Sequence, residues 1–533
     1  MTTAPWWTHG TIYQIYPRSF QDSDGDGVGD LEGIRRRLDH LEDLGVDALW
    51  LSPIFVSPMR DFGYDIADYR AVDPVFGRME DLEALLRDAH ARGLRVILDL
   101  VPNHTSDQHA WFKDSRSSRQ AAKRDWYIWR DPAPDGGPPN NWLSEFGGSA
   151  WAFDEATGQY YYHAFLESQP DLNWRNPAVC EAITDVMRFW LDKGVDGFRI
   201  DVLWHLMKDE SFRDNPVNPH WREGGPPTDR LVKLYTTDLP EMETVIRRLR
   251  ETVEPYGDRV LIGEIYLPTE RLMRYYGTEN DGVHLPFNFA LIDAAWDARH
   301  IHRMIEDYEQ ALPPGGWPNW VTGNHDKPRI ATRIGPAQAR VAAVLLLTLR
   351  GTPTIYYGEE IGMEHAVFDD ATALDPFARQ VPGFGLGRDG ARTPMQWEPG
   401  PNAGFGAGTP WLPVSRTDEA ATVAGQRDDP ASMLSLYRRL LALRRTRKAF
   451  TEGRYQGLAA EGGLLLYLRE AGDERFLVAL NLGAVPVSVS LTGPVSAGRI
   501  VLSAKPGRED EAIAGSLTID GDDALVVALD PAG

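Results

Sequence analysis

Short apolar runs alternate with polar loops and amphipathic helical segments along most of the chain. The apolar runs are typical of buried parallel strands, and positions such as 31, 34, 38, 41 and 44 predict a helix that Gly45 ends. Further helices are predicted at 80–91, 178–193, 239–253 and 430–446. The predicted strands begin near residues 11, 47, 95, 197, 260, 284, 320 and 354. Eight parallel strands with intervening helices close into a barrel, so the pattern predicts an α/β fold of the (β/α)8 type.

Two stretches depart from this alternation. Residues 105–170 are rich in Trp, Tyr, Pro, Gly and Asn, and a structureless loop of that length is unusual in a compact domain. We therefore predict an inserted domain after the third strand, with a strand at 159–165. From about residue 455, short strands follow one another without helices, which predicts an antiparallel β-sandwich. The predicted domains are the barrel (1–104 and 171–454), the inserted domain (105–170) and the C-terminal domain (455–533).

Charge and composition exclude several classes of partner. A net charge of −23 argues against nucleic acid or an anionic membrane surface as the partner. The single cysteine, Cys180, allows no intrachain disulfide bond. The N-terminus has no basic run or apolar segment of signal length, and apolar runs such as 341–349 are too short to cross a bilayer. We expect a cytoplasmic protein, and the sequence leaves its oligomeric state open.

An arginine and an aspartate lie at the end of the predicted strand that begins at residue 197. The two-residue period of a strand places Arg199 and Asp201 on the same face. A neighbouring guanidinium lowers the pKa of a carboxylate and keeps it ionised, as a nucleophile requires. A purely structural ion pair would give the same local pattern. The residues at the ends of the other predicted strands are therefore needed to distinguish the two interpretations.

Other predicted strands also end in polar side chains, and in (β/α)8 barrels the catalytic groups lie at the C-terminal strand ends. These residues are Asp65 after the second strand, His104 after the third, Arg199 and Asp201 at the fourth, Glu264 at the fifth, and His325 with Asp326 at the seventh. No Gly-x-Ser-x-Gly segment predicts a serine nucleophile, and no paired-histidine spacing predicts a catalytic metal.

Paired carboxylates, one ionised and one protonated, suit the cleavage of a glycosidic bond. Glu264 has apolar neighbours, and burial near other carboxylates should raise its pKa, as a general acid requires. Asp201 is then the predicted nucleophile. Asp326 is predicted to bind substrate hydroxyls and to stabilise positive charge on the sugar ring.

Residues 22–30 contain aspartates at alternate positions with interleaved glycines. The spacing of Asp22, Asp24, Asp26 and Asp30 matches the first half of a calcium-binding loop, but Gly33 stands where an EF-hand has its bidentate glutamate. Crowding four carboxylates without a cation is costly, so we predict one bound hard cation. A solvated acidic turn is the alternative interpretation.

These segments together resemble the signature regions of the alpha-amylase family of glycoside hydrolases. The matching segments are 99–104, 197–201, Glu264 and 322–326, and those at 169–173, 392–397 and 22–30 resemble its oligo-1,6-glucosidase and alpha-glucosidase branch. The resemblance covers nearly the whole chain and implies a TIM barrel, with 105–170 as the family's domain B and a C-terminal β-sandwich domain.

The resemblance also implies roles for individual residues. It makes Asp201 the nucleophile, Glu264 the acid/base and Asp326 the stabiliser. The implied substrate contacts are Tyr64, Asp65, His104, Phe165, Arg199, His325 and Arg388. It implies one structural calcium ion on Asp22, Asp24, Asp26, the Val28 carbonyl and Asp30, and no organic cofactor. Relatives often have Asn at the second acidic position, so the ion is calcium or magnesium.

The sequence therefore predicts a retaining, exo-acting alpha-glucosidase for short alpha-glucosides, with Asp65 and Arg388 closing the pocket around the terminal glucose. Val202 follows the nucleophile, and in the family it resembles, Val here accompanies alpha-1,6 preference, whereas Ala or Thr accompanies alpha-1,4. Val202 as a mere packing residue is the alternative. An alpha-1,4-specific glucosidase, or a transglucosylase or isomerase with the same triad, also fits the sequence. A non-catalytic transporter subunit would have a membrane helix and lack the carboxylates.

Overall fold

The computed structural model describes residues 4–369 and 372–531. Its centre is a sheet of eight parallel strands in the order β6-β5-β4-β3-β2-β1-β8-β7. The strands are β1 (Ile12–Ile15), β2 (Ala48–Leu51), β3 (Arg95–Leu100), β4 (Gly197–Ile200), β5 (Val260–Gly263), β6 (Leu285–Pro286), β7 (Asn319–Val321) and β8 (Thr352–Tyr356). A parallel bridge between Asn288 and Trp320 joins the ends of the two outermost strands. The predicted barrel is confirmed.

Both faces of the barrel strands are buried, which is why they are continuously apolar rather than alternating. Ile12, Ile97 and Ile262 belong to the cluster that fills the barrel interior. Their chain neighbours, such as Tyr13 and Leu261, belong to the larger cluster under the surrounding helices. Because of the strand pleat, alternate side chains point into the barrel. The polar residues at the strand ends follow the same alternation.

Helices cover the outside of the barrel, close to the predicted positions. The longer ones are Leu31–Arg36, Leu38–Leu44, Met79–Ala91, Ala110–Ser117, Pro177–Asp192, Met242–Val253, Ala298–Ala311, Pro336–Thr348 and Met433–Thr446. Short ones are Pro17–Phe20, Thr269–Leu272, Ala290–Asp293, Ile330–Ile334, Pro376–Gln380, Val423–Gln426 and Lys448–Thr451. The helix predicted across 31–44 is interrupted at Arg37 and ends at left-handed Gly45. The helix predicted from 239 begins only at Met242, because Pro240 disfavours helical backbone in the residue before it.

The insertion after β3 contains a small antiparallel sheet. Its strands are Trp129–Arg130, Trp151–Asp154 and Gln159–Tyr162, so the strand predicted at 159–165 ends earlier. The chain leaves and rejoins the barrel at an antiparallel bridge between His104 and Asp171. The buried Lys208 ammonium ties this junction together, because its Nζ lies 2.5 Å from Asp171 Oδ2 and 2.7 Å from Asn103 Oδ1.

The C-terminal region is antiparallel, as predicted. One sheet orders Arg454–Glu461, Leu464–Ala471, Glu474–Asn481, Ala524–Leu529, Ala497–Ser503 and Ala512–Ala514, and a second pairs Val487–Ser490 with Ser516–Ile519. The first strand, Arg454–Glu461, lies at the edge of its sheet and has no fully buried side chain. The exact domain boundaries stay a prediction.

Within the described residues, no helix is both long enough and apolar enough to cross a membrane. The cytoplasmic location expected from the sequence stays a prediction.

Candidate active site

Alternate side chains of β3, β4 and β5 point into the barrel. This brings charged side chains together at the C-terminal ends of these three strands. Asp99 pairs in register with Arg199, and Ile262 pairs with Arg199 from the other side. Glu264 lies two residues after Ile262, so its side chain also points into the barrel. Because the interior below is apolar, these charged side chains need partners at this end of the barrel, and they pair with one another.

Arg199 is the centre of this cluster and is fully buried. Its Nη1 donates hydrogen bonds to Asp99 Oδ1 at 2.8 Å and to Asp201 Oδ1 at 2.7 Å. Its Nη2 lies 2.7 Å from Glu264 Oε2. One guanidinium therefore holds three carboxyl groups.

The balance of charge keeps a proton in this cluster. Burial raises the pKa of Asp201 well above its ordinary value, and Arg199 opposes it only in part. Burial likewise raises the pKa of Glu264, against the same arginine, and raises that of Asp99 to about 7. Burial outweighs the arginine, so the expectation that Arg199 lowers the pKa of Asp201 below its usual range is wrong.

Asp326 has the opposite environment. Burial alone would raise its pKa, but His325, Arg388 and Arg392 together bring it well below its usual range. Arg392 Nη2 donates to Asp326 Oδ1 at 2.8 Å, and Arg388 Nη1 lies 3.4 Å from the same oxygen. Asp326 is therefore ionised at neutral pH.

A chain of hydrogen bonds fixes the neutral His325 ring. Burial lowers the pKa of His325 to about 3. Gln14 Nε2 donates to its Nδ1 at 2.8 Å, so the proton is on Nε2, which lies 2.6 Å from the Tyr64 hydroxyl oxygen. The Tyr64 hydroxyl donates in turn to Asp99 Oδ2 at 3.1 Å, and the two rings are stacked.

The structure corrects one predicted substrate contact. Asp65 is fully buried beneath its loop, where it accepts hydrogen bonds from the Ser57 hydroxyl and from the Arg60 and Asp61 backbone N–H groups. Asp61 takes the position expected for Asp65, because it lines the cavity and its Oδ1 lies 2.7 Å from Arg388 Nη2. Two aspartates four positions apart in one loop gave no sequence signal to distinguish them.

A cavity of about 930 Å³ opens above the carboxylate cluster. The predicted residues that line it are Tyr64, His104, Phe165, Asp201, Val202, Glu264, His325, Asp326 and Arg388. Arg199 does not line it and lies behind Asp201. Lining residues that the sequence analysis missed are Asp61, Glu145, Phe146, Trp204, Tyr266 and Phe377.

The inserted segment walls the cavity. Phe146 stacks on Phe377 with ring centroids 5.0 Å apart, and the guanidinium carbon of Arg388 lies 5.1 Å from the Phe146 centroid. Arg388 is held by Asp375, whose Oδ1 lies 2.6 Å from its Nη2. Together with the Asp61 contact, these interactions join the loops on one side of the cavity.

Val202 has left-handed backbone angles, φ 36° and ψ 46°, whereas the predicted strand extended through it. This conformation is strained for a β-branched residue. The Val202 N–H donates to Glu264 Oε2 at 2.8 Å, so the turn also orients the glutamate. The strained turn directs the Val202 side chain to the cavity.

The acidic loop forms part of the predicted cation site. Carboxylate oxygens of Asp22, Asp24 and Asp30 lie within 4.8 Å of one another. The structure does not bring Asp26 into this group, and its Oδ1 accepts the Val28 N–H at 2.7 Å. An all-oxygen donor set of this kind fits a hard cation such as calcium or magnesium.

Comparison with known proteins agrees with this geometry. Residues 14–453 match the family model of the alpha amylase catalytic domain. The chain is 45% identical over 494 residues to a probable alpha-glucosidase of Rhizobium meliloti (strain 1021), covering 90% of this chain and 89% of that protein. It is 40% identical over 523 residues to an oligo-1,6-glucosidase of Heyndrickxia coagulans, covering 91% and 93%. The crystal structure of the alpha-glucosyl transfer enzyme XgtA has a TM-score of 0.92 and 41% identity, covering 99% of this chain and 100% of that one.

The fold, the carboxylate site and these relatives define a glycoside hydrolase acting on a small sugar. The chain belongs to the alpha-amylase family, glycoside hydrolase family 13, and is an alpha-glucosidase-type member. The predicted family and enzyme class are confirmed. The roles predicted for individual residues stay predictions.

Proposed function

We propose that the enzyme is a retaining, exo-acting alpha-glucosidase that releases glucose from the non-reducing end of short alpha-glucosides and prefers alpha-1,6 linkages. The observation that carries the proposal is the placement of Asp201 and Glu264 on one guanidinium at the base of a cavity, beside the ion pair of Asp61 with Arg388. An alpha-1,4-specific glucosidase and a transglucosylase would use the same residues.

The closeness of the two carboxyl groups supports retention of configuration. Retaining glycosidases have their carboxyl groups about 5–5.5 Å apart, whereas inverting enzymes need about 6.5–9.5 Å to admit a water molecule between them. Asp201 Oδ1 and Glu264 Oε2 each lie 2.7 Å from the one guanidinium of Arg199, which supports the shorter separation. Asp201 therefore attacks the sugar directly.

The reaction proceeds in two steps. In the first, Glu264 gives its proton to the glycosidic oxygen while Asp201 attacks C1, so the C1–O bond breaks and a glucosyl ester forms. In the second, Glu264 takes a proton from water, the water oxygen bonds to C1, and the ester electrons return to Asp201. Burial raises the pKa of Glu264 and so favours the protonated form that the first step needs.

Other residues hold the sugar and stabilise its charge. Asp326, ionised between two arginines, binds hydroxyls and faces the positive charge that develops on the ring. Asp61 and Arg388 bind the terminal glucose at the closed end, which requires an exo mode of action. Tyr64, His104 and Phe165 complete the wall of this subsite.

The linkage preference rests on Val202. Its side chain lines the cavity directly beside the nucleophile, where the departing sugar must lie. A branched side chain there narrows the space, and one or two methyl groups change discrimination by roughly 1–3 kcal/mol. This supports a bias toward alpha-1,6 bonds, with alpha-1,4 bonds cleaved more slowly.

Proton NMR of isomaltose and maltose hydrolysis tests this function. We expect alpha-glucose as the first product, a higher kcat/KM for isomaltose than for maltose, and slow release of glucose from starch. Val202→Ala should shift the isomaltose-to-maltose ratio toward maltose by about tenfold or more, because it removes the steric bias.

The control for this experiment is Val217→Ser, which changes an exposed valine outside the cavity and should leave the ratio unchanged. Initial beta-glucose would contradict the two-step mechanism, and rapid internal cleavage of starch would contradict the exo mode. Wild-type preference for maltose, or an unchanged ratio in Val202→Ala, would contradict the role of Val202.

Asp61 and Asp65 provide a matched pair for testing the corrected contact. Asp61→Asn should lower kcat/KM roughly 10- to 150-fold, because hydrogen bonds to a charged group lose about 1.5–3 kcal/mol when that charge is removed. Asp65→Asn should instead lower the melting temperature, because Asp65 holds its own loop together. Steady-state kinetics and thermal unfolding of both variants distinguish these roles. The reverse outcome would restore Asp65 as the substrate contact.

We also propose one structural cation at the loop 22–30. Chelation should lower the melting temperature without affecting the catalytic geometry, because a ligand at 100 times its Kd stabilises the native state by about 2.7 kcal/mol. Asp24→Asn should abolish this chelator effect, and Asp26→Asn should retain it, since only Asp24 belongs to the oxygen cluster.

Calcium and magnesium added back separately would identify the ion by the recovery of the melting temperature. A loss of activity at unchanged melting temperature would instead indicate a catalytic ion. An unchanged melting temperature after prolonged chelation, with no metal found by elemental analysis beforehand, would leave the solvated acidic turn as the correct interpretation.

A further inference from the structure

The turn that carries Asp61 has an unusual backbone. The Asp61 carbonyl accepts the Tyr64 N–H at 3.1 Å, so these two cavity-lining residues are the ends of a four-residue turn. Its central residues, Phe62 and Gly63, have φ angles of 48° and 108°. Positive φ at both central positions is typical of a type I′ turn, in which Asn-Gly is a preferred pair. A bulky residue such as phenylalanine is strained at the first of these positions.

The hydrogen bonds of Asp65 support only the beginning of this turn. Its carboxylate accepts hydrogen bonds from one hydroxyl and two backbone N–H groups, all of which precede Phe62 in the chain. The left-handed conformation of Phe62 therefore needs support from another part of the molecule.

A cluster of three half-buried side chains, Arg18, Phe62 and Trp411, supplies this support. The ring centroids of Phe62 and Trp411 are 5.1 Å apart. The guanidinium carbon of Arg18 lies 5.4 Å from the Phe62 centroid and 4.8 Å from the Trp411 centroid. Within the described residues, Arg18 Nε is buried without a hydrogen-bond partner, so contacts with the two rings hold this part of the side chain.

Trp411 is itself anchored through both its side chain and its backbone. Its Nε1 donates to Ser19 Oγ at 3.0 Å, and its backbone N–H donates to the Gly27 carbonyl at 2.9 Å. Neither Trp411 nor Phe62 lines the cavity, so both act outside the sugar site. The anchored Trp411 ring stabilises the left-handed form of the turn, because a change of Phe62 to negative φ would move its ring away from this contact.

We propose that Trp411 is a positioning residue: by packing on Phe62 it keeps the turn in the form that presents Asp61 and Tyr64 to the terminal glucose. This inference rests on the proposed function, in which Asp61 binds that sugar. When only a fraction of the molecules has the competent turn, the apparent affinity for the sugar falls by that fraction. Loss of the Trp411 ring therefore raises KM, whereas kcat, which is measured with the site filled, changes little.

Trp411→Leu tests this role by removing the ring. We expect it to raise KM for isomaltose, and the Kd for glucose measured by calorimetry, by about tenfold. We expect kcat within about twofold of wild type, because bound substrate restores the turn. Trp411→Phe retains a ring and should stay close to wild type. A purely structural role would lower the melting temperature and leave KM and Kd unchanged.

Phe62→Asn provides the rescue, because asparagine tolerates positive φ without a packing partner. This variant should bind glucose as wild type does. Adding Trp411→Leu to it should have little further effect, whereas Trp411→Leu alone weakens binding. Equal effects of Trp411→Leu in the two backgrounds would overturn the inference, as would weak glucose binding by Phe62→Asn or unchanged binding by Trp411→Leu.

Trp126→Leu is the matched control. Trp126 is also half-buried and has the Lys123 ammonium 3.3 Å from its ring centroid, but its ring packs on Trp111 instead of on the turn. This variant should leave KM and the glucose Kd unchanged.

A second pair of variants and a separate activity measurement complete the test. If Trp411→Leu is unfolded at the assay temperature, Phe62→Leu is compared with Phe62→Asn, and only the leucine variant should bind glucose weakly. Equal binding by these two variants would overturn the inference. Absence of isomaltose and maltose hydrolysis in wild type would refute the proposed function itself, while the glucose Kd would still report on the turn.

Discussion

Replacing Asp201 with asparagine is expected to lower kcat for isomaltose by about 10⁴-fold or more, because it removes the atom that forms the glucosyl ester. The asparagine oxygen can still accept the hydrogen bond from Arg199, so the surrounding geometry is retained. The melting temperature should not fall. Burial raises the pKa of Asp201, so its ionised form costs stability above the ordinary pKa, and a neutral amide removes that cost.

Steady-state kinetics and thermal unfolding of Asp201→Asn check both expectations. Asp99→Asn is the matched control, because Asp99 binds the same Arg199 Nη1 but does not line the cavity. It should lose much less activity than Asp201→Asn. Near-normal turnover in Asp201→Asn would refute the nucleophile assignment, and an equal loss in both variants would reduce Asp201 to a partner of the arginine.

The barrel could be predicted from the sequence because its strands are buried on both faces and stand out as apolar runs. The same parity argument placed Arg199 and Asp201 together and predicted that strand ends would bring Glu264 close. The parity argument works because each of these side chains lies on a strand or within two residues of its end. Backbone register then fixes which residues face one another.

The loops were much less predictable. The position of Asp61 depends on a turn that Asp65 stabilises through three hydrogen bonds, and no periodic pattern encodes it. The left-handed backbone at Val202 also runs against the preference of a β-branched residue, so the strand was extended too far. Contacts such as that between Phe146 and Phe377 join loops more than two hundred positions apart in the chain.

The pKa of the carboxylate cluster is a further example. From the sequence, Arg199 and Asp201 are a pair, and a pair predicts a lowered carboxylate pKa. The structure adds Asp99 and Glu264 to the same guanidinium and buries all of them. Burial then has the largest influence on the carboxylate pKa, and it raises the pKa instead of lowering it. At Glu264 a raised pKa favours the protonated form that acid catalysis needs.

Glu264→Gln is expected to lower kcat/KM for isomaltose by roughly 10²–10⁴-fold, because the departing sugar then leaves without a proton. A dinitrophenyl alpha-glucoside needs no such proton, so its first step should proceed at a near-wild-type rate. The glucosyl ester then accumulates, since the glutamine cannot take the proton from water. A burst of dinitrophenol in stopped-flow measurements would report this accumulation.

The pH dependence separates an acid from a group that merely binds. Burial raises the pKa of Glu264, so its protonated form persists to higher pH than that of an exposed glutamate. In wild type, kcat/KM for isomaltose should fall as the pH rises through this raised pKa, because the proton donor is lost. With Glu264→Gln and the dinitrophenyl substrate, the burst rate should no longer fall over that range. An alkaline fall that persists unchanged in the variant would show that another group is the acid, and the assignment of Glu264 would be wrong.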